Sequence, residues 1–380
     1  MKLRLAVMYG GESVEHEISI LSALQVMNAL DKNKYQVIPI YIAKDHTMYQ
    51  GECLWEIETY QDMEQLKTKV ESINIIKQGN NIMIQPLKRS FNRKQIIDLV
   101  LPIIHGTNGE DGSIQGYLEM IGIPYCGSGV LASSIGQDKV IMKQIMNQQG
   151  ITTPPWFYVL ANEQASSYQN KAAKLGYPLI IKPANLGSSI GIHVVQNAEA
   201  LHLKLQDSML YDDKVIVEKV IPHLREMNIS VLGNYLQSEC SAIEEVMKSK
   251  DLLSYEDKYQ HTKSTKGIVS TKRILPAMIS EDMKLKIEKL ALQTFHELCS
   301  DGVVRIDFLI NDESKEVYVN EINTIPGSLA FYLWKDQGYL FHELLDQVIL
   351  LGLKKMKRKQ QKIMSYDTNI LMIQKGEKLS

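Results

Sequence analysis

The chain has 380 residues, 44% of them hydrophobic and 23% charged, with a formal net charge of −2. It is long enough for two or three domains with sizeable cores, and nothing in its charge balance calls for nucleic acid or an anionic membrane as partner. Its four cysteines, Cys53, Cys126, Cys240 and Cys299, show no CxxC spacing, which argues against a zinc site or disulfide framework and fits a reducing cytoplasm. No apolar stretch is long enough to span a bilayer, and the apolar run at the N-terminus meets Gly10-Gly11 too soon for a signal-peptide core.

In chain order, residues 3–9 are continuously apolar up to that glycine pair, and residues 18–30 then space their apolar side chains helically. The start reads as strand, glycine turn, helix. Residues 37–42 and 97–104 look like two more buried strands, so the first 126 residues are expected to form a parallel α/β layer. Ligands of such sheets sit beyond the carboxyl ends of the strands, which puts Glu15 and the loop His105-Gly-Thr-Asn-Gly-Glu110-Asp-Gly at one rim.

A second unit follows, with strands at 178–182, 191–195 and 215–219. Lys182 ends the first of them and leads into Gly187-Ser188-Ser189, a small hydroxyl-rich loop whose backbone N–H groups can form an anion-binding concavity. Alone this is weak, since surface turns of the same composition are common; GxxxxGK[ST] is absent, which disfavours a P-loop fold. From about residue 226 strands alternate with a long amphipathic helix over 281–299. The basic run at 353–362 reads as the solvated face of a final helix, and residues 368–374 read as a lone strand with no assigned role.

The most informative segments are Arg305-Ile-Asp307 and Glu321-Ile-Asn323, in two strands joined by a turn-rich stretch at 311–315. Alternation puts Arg305 and Asp307 on one face of the first strand, and Glu321 and Asn323 on one face of the second. A turn centred near Glu313 sets Arg305 opposite Glu321, with Asp307 one diagonal step away. Two carboxylates and an amide oxygen make a hard, oxygen-only site that suits Mg²⁺ completed by water and nucleotide phosphates. Read in isolation, the same residues also fit an exposed hairpin with ordinary surface charges. Lys139, Lys182 and Lys258 add cationic donors for phosphates, and Glu218 and Glu226 are candidates for ribose and adenine-amine contacts.

Tyr9-Gly-Gly-Glu-Ser-Val-Glu15-His, His105-Gly-Thr-Asn-Gly-Glu-Asp-Gly-Ser-Ile-Gln115-Gly, Lys182-Pro with Gly187-Ser-Ser, Tyr255-Glu-Asp-Lys258-Tyr259, and the hairpin with Thr324-Ile-Pro-Gly327 occur in the order found in one family. Over residues 3–350 the chain resembles the D-alanine–D-alanine ligases of the ATP-grasp fold. The resemblance implies an α/β protein with an N-terminal parallel α/β domain over 1–126, a central ATP-grasp lid domain over 127–225 and a C-terminal ATP-grasp domain over 226–355. Residues 356–380 are left as a basic helix end and tail of unknown role. ATP would lie between the last two domains, and the protein would act in the cytoplasm, as a homodimer, in peptidoglycan precursor synthesis.

By the same resemblance, ATP phosphorylates the first D-alanine and the second attacks the acyl phosphate, chemistry that depends on positioning and charge neutralisation. Asp307, Glu321 and Asn323 would hold two Mg²⁺ ions, with Mn²⁺ able to substitute. Lys139, Lys182 and Lys258 would contact phosphates, with Ser189, Glu218, Lys219 and Glu226 completing the nucleotide site. Arg305 and the Gly327 N–H would stabilise the tetrahedral oxyanion. Glu15 would bind the first ammonium in a network with Ser188 and Tyr259, and His105 would lie near the first carboxylate. Taken singly, Glu15 could instead cap its helix and His105 could be a satisfied structural histidine.

After Gly327 the chain departs from the family pattern and reads Ser328-Leu-Ala-Phe-Tyr332-Leu-Trp334. Ser328 or Tyr332 could supply a hydroxyl to the second substrate. Three functions compete: a D-alanine–D-alanine ligase, an ATP-grasp ligase with another acceptor such as D-serine or D-lactate, and a nucleotide-binding protein without turnover. The intact metal and oxyanion candidates disfavour the third, and Tyr259 favours an amine acceptor over a lactate hydroxyl.

Overall fold

The computed structural model describes residues 2–88, 95–247 and 273–366. Lys258 and Tyr259, and the lone strand expected at 368–374, lie outside the described residues.

The N-terminal region contains β1 (Leu3–Gly10), α1 (His16–Ala29), β2 (Tyr35–Ile42), β3 (Met48–Gln50), α2 (Met63–Lys69), β4 (Glu71–Gln78), β5 (Asn81–Pro86), β6 (Gln95–Ile97), β7 (Leu99–Ile103) and α3 (Ser113–Met120). Its seven strands run in the order β6-β5-β4-β3-β2-β1-β7. Only β2, β1 and β7 pair in parallel; the rest are antiparallel, so the expected parallel layer is mixed. The stretch expected as one strand over 97–104 breaks at Asp98, whose carboxylate accepts the Arg4 backbone N–H and the Nε and Nη2 donors of its guanidinium. The expected rim holds: β1 ends at Gly10 and β7 at Ile103, so the loops bearing Glu15 and His105–Asp111 leave the same edge.

The middle region contains α4 (Val130–Gln137), α5 (Lys139–Gln148), β8 (Trp156–Leu160), α6 (Ala165–Leu175), β9 (Leu179–Pro183), β10 (His193–Val195), α7 (Ala198–Ser208) and β11 (Lys214–Lys219). Its strands form an antiparallel sheet in the order β10-β9-β11-β8. Asp138 starts α5 by accepting from the N–H groups of Val140 and Ile141, which satisfies two otherwise orphaned donors.

The last region contains β12 (Leu224–Gly233), β13 (Ser238–Val246), β14 (Arg273–Ile274), α8 (Glu281–Glu297), β15 (Gly302–Asn311), β16 (Val317–Asn323), a 3₁₀ segment (Gly327–Gln337) and α9 (Phe341–Gln360). The sheet order is β14-β13-β12-β15-β16, antiparallel throughout. α5 and α8 bury their apolar faces on this sheet, through Met142, Met146, Ile287 and Phe295. Trp334, fully buried, belongs to the core that also holds α1 and α9, and its indole N–H donates to Ser230 Oγ at 3.1 Å.

The basic run of α9 is more than a solvated face. Lys355 lies 4.0 Å from the Tyr125 ring centroid and donates to the Gly127 carbonyl at 2.9 Å, while Arg358 approaches Asp301 at 3.5 Å. Lys355 thereby ties the end of the helix to the chain that leaves the first sheet, and Arg358 ties it to the start of β15.

Candidate functional site

Four segments converge: the loops after β1 and β7, the Gly187–Ser189 loop, and the end of β16. They surround a narrow cavity of about 50 Å³ lined by Glu15, Glu110, Lys139, Ser188, Glu321 and Asn323 among others. Glu15 occupies the N-cap position of α1, yet its side chain caps nothing. Its carboxylate instead accepts from Ser188 Oγ, 173 positions away. Ser188 and Ser189 both have left-handed backbones, φ +54° and +61°, the sort of strain that persists where surroundings impose it and that clusters at ligand sites. Gly106 has φ +70°, and a Cβ there would stand 2.7 Å from Ser13 Oγ and 3.0 Å from a Glu15 carboxylate oxygen. A side chain at 106 would therefore displace the Ser13 hydroxyl and crowd the Glu15 carboxylate.

Glu110 is a member of this cluster that residue-by-residue reading assigned no role. Buried under the loop, it accepts from the N–H groups of Gly106 at 3.0 Å and Ile325 at 2.9 Å, and so links the first region to the last. Burial and the neighbouring Glu15 push its carboxyl up to about 8, against those two donors. His105 is buried with both ring nitrogens engaged, Nδ1 with the Ile325 carbonyl and Nε2 with Ser22 Oγ, each at 2.8 Å. Burial pulls it down to about 4, so the ring is neutral at neutral pH.

The hairpin register differs from the expected one. Next to the turn Ile310 already faces Val317, one step off the expected pairing, and a bulge between Asp307 and Phe308 adds a second step through an extra residue in β16, so Arg305 faces Asn323 and Asp307 faces Glu321. The pairing extends outward: Asn228 on β12 opposes Asp307, and Glu244 on β13 opposes Asn228. Four polar side chains, Glu244, Asn228, Asp307 and Glu321, thus form one row across four strands. Arg305 grips Asp307 with two hydrogen bonds, 2.7 and 2.8 Å, and Asn323 Nδ2 donates to the same carboxylate at 3.2 Å. Burial raises the Asp307 carboxyl, with Arg305 opposing. Among the described residues no three His, Cys, Asp or Glu side chains converge on one point. Two carboxylates and an amide still fit a hard cation whose coordination is completed by water and phosphate, and a cation would relieve the strain of two facing acids.

The lysines surround this row. Lys139 donates to the Leu186 carbonyl at 2.8 Å and stands 3.9 Å from a Glu321 oxygen. Lys182 and Lys143 approach the two oxygens of Glu218 at 2.6 and 2.9 Å. Burial alone would raise the Glu218 carboxyl, but the two ammoniums outweigh it and hold it at about 2. Glu218 is therefore an ionised, ion-paired side chain as well as a candidate nucleotide contact. Lys219 donates to the carbonyls of Gly176 and Tyr177 at 2.8 and 2.9 Å, and Glu226 is half-buried on β12.

Beyond Gly327, whose Cβ position faces open space, Ser328, Leu329 and Ala330 are all left-handed, with φ of 48°, 55° and 49°. This tight turn draws Ser328 under α1, where its N–H donates to Ser22 Oγ at 3.0 Å and its hydroxyl to Gln25. The Tyr332 hydroxyl donates to Glu244 Oε1 at 2.6 Å. Both candidate acceptor hydroxyls therefore already have partners, and one of these partners belongs to the polar row.

A mixed sheet joined to two antiparallel sheets, with carboxylates, lysines and a serine loop meeting between them, defines an ATP-grasp ligase. The D-ala D-ala ligase N-terminus profile matches residues 4–128, and the D-ala D-ala ligase C-terminus profile matches residues 145–350. The D-alanine–D-alanine ligase of Thermosipho melanesiensis is 42% identical over 376 residues, 99% of this chain and 100% of that one. The solved VanG D-Ala:D-Ser ligase from Enterococcus faecalis superposes with a TM-score of 0.78 at 27% identity, covering 93% of this chain and 100% of that one. The Bacillus anthracis D-alanine–D-alanine ligase complexed with ATP gives 0.67 at 26% identity, covering 94% and 99%. The chain belongs to the D-alanine–D-alanine ligase family.

Proposed function

We infer that this chain is an ATP-dependent D-alanine–D-alanine ligase of peptidoglycan synthesis, and that it works through an acyl phosphate. The observation that carries the mechanism is the Asp307–Glu321 pair, with Arg305 on one flank and Lys139 on the other. The ammonium of the first D-alanine is held at Glu15, with Ser188 and Tyr259 fixing that carboxylate. Its arrival beside Glu110 favours the ionised form of both acids. Lys139, Lys182 and Lys258 neutralise the phosphates, while Ser189, Lys219 and Glu226 complete the nucleotide site.

Asp307, Glu321 and Asn323 would hold two Mg²⁺ ions, which would supply neutralisation of the phosphate charge during transfer. Arg305 and the Gly327 N–H stabilise the oxyanion formed when the second amine attacks, and phosphate leaves. His105, neutral and fixed at both nitrogens, shapes the floor of the donor site. Ser328 and Tyr332 line the acceptor side. No helix among the described residues is long and apolar enough to cross a membrane, and we place the enzyme in the cytoplasm as a homodimer.

The test is ATP-dependent phosphate release with D-alanine paired against D-alanine, D-serine, D-lactate and L-amino acids. D-alanine as both donor and acceptor should give the highest kcat/KM. A preference for D-serine would move the acceptor assignment toward the D-Ala:D-Ser ligases and leave the nucleotide assignments in place.

A further inference from the structure

Lys143 has no part in the reading above, although it sits at the centre of the buried charges. It follows Lys139 by one turn of α5, and that spacing puts both side chains on one helix face. Its ammonium lies 2.9 Å from Glu218 Oε1 and donates to the Asn320 carbonyl at 2.9 Å, one residue before Glu321. Lys182 takes the other Glu218 oxygen at 2.6 Å and donates to Asn320 Oδ1 at 3.2 Å. The side chains of Lys143, Lys182 and Glu218 are 0%, 8% and 1% exposed.

Two ammoniums therefore share one carboxylate, and the triad carries one excess positive charge that the nearby Glu321 and Glu226 offset in part. An excess buried charge is costly unless an anion joins it. Lys182 is the more exposed of the two lysines, whereas Lys143 is sealed between β11 and β16.

We propose that Lys143 is a positioning residue for nucleotide binding: it is the standing counter-ion of Glu218 and so leaves Lys182 available to a phosphate oxygen. The inference rests on Lys182 being a phosphate ligand. With a neutral residue at 143, Lys182 becomes the sole partner of a buried carboxylate, and sharing it with a phosphate strips Glu218 of its charge balance. Lys143 acts through Glu218, so removing the carboxylate removes the need for it.

Steady-state kinetics on Lys143→Met, Glu218→Gln and the double variant test this. Lys143→Met should raise the KM for ATP by about tenfold or more, with kcat and the KM for D-alanine within about twofold. In the Glu218→Gln background the same change should alter the KM for ATP by less than about twofold. An unchanged KM for ATP, an equal rise in both backgrounds, or a parallel loss in all constants overturns the proposal. Lys182→Met separates it from its premise: if that variant binds ATP normally, the phosphate role of Lys182 fails and the inference falls with it. Should Lys143→Met not fold, a structure of the wild-type enzyme with a non-hydrolysable ATP analogue decides. Lys143 should remain within roughly 4 Å of Glu218 while Lys182 touches a phosphate; Lys143 displaced from Glu218 overturns it.

Discussion

Ser188 hydrogen-bonds to Glu15 across the gap between the middle sheet and the first helix. The contact turns a potential helix cap into a substrate-facing carboxylate held from the opposite side of the cleft. If Glu15 receives the donor ammonium, Glu15→Gln keeps the shape but loses a charged partner in a closed site, which costs about 2 kcal/mol. The KM for the donor D-alanine should rise by about tenfold or more, and Ser188→Ala should raise it by a smaller factor. Unchanged donor constants in both variants would return Glu15 to an ordinary helix start.

The polar row predicts a different failure. Asp307 and Glu321 face one another directly between Arg305 and Lys139, and ATP brings further negative charge to this row that a divalent cation would neutralise. Asp307→Ala and Glu321→Ala should each abolish dipeptide synthesis while circular dichroism and the unfolding midpoint stay close to wild type. Dipeptide synthesis by both folded variants at the wild-type rate, or undiminished turnover in excess chelator, would rule out the metal assignment.

On the acceptor side, Tyr332→Phe removes the hydrogen bond to Glu244 Oε1, and Ser328→Ala removes the one to Gln25. Loss of either should weaken the second substrate selectively, by roughly threefold to thirtyfold in its KM, the range of a single hydrogen bond. Donor and ATP constants should not move. If acceptor KM and acceptor preference are both unaltered, other residues build that pocket.

The period-2 alternation of β15 and β16 made it legible that Arg305 and Asp307 share a face, as do Glu321 and Asn323. Their register across the hairpin was not, because the bulge at Asp307 leaves no mark in the local pattern and shifts the pairing of every residue beyond it. Glu15 and the His105–Asp111 loop were placed correctly, since strand ends in a parallel layer fix where loops emerge. β4 and β5 went unread, and their antiparallel hairpin changes the first sheet from parallel to mixed. Lys143 was hidden for a simple reason: its partners Glu218 and Asn320 come from two other strands, a conjunction no local spacing shows. The left-handed turn at Ser328 to Ala330 was equally silent, because none of the three residues is glycine.

Asp301 supplies a pH-dependent stability test away from the chemistry. It is buried where α9 docks, and burial pushes its carboxyl up to about 6 despite Lys355 and Arg358 nearby. Because the folded state holds this proton more tightly than the unfolded chain does, its contribution is most favourable below the ordinary aspartate pKa of 3.8. It is lost as pH rises toward about 6, and above that the penalty is constant, on the order of 3 kcal/mol at most. Asp301→Asn removes the titration. In urea denaturation the variant should be more stable than wild type at neutral pH by about 1–3 kcal/mol, and the difference should shrink toward zero as pH falls through the window between those two values. A variant less stable than wild type at neutral pH would mean that the ionised carboxylate, paired with Arg358 and Lys355, contributes more than its burial costs.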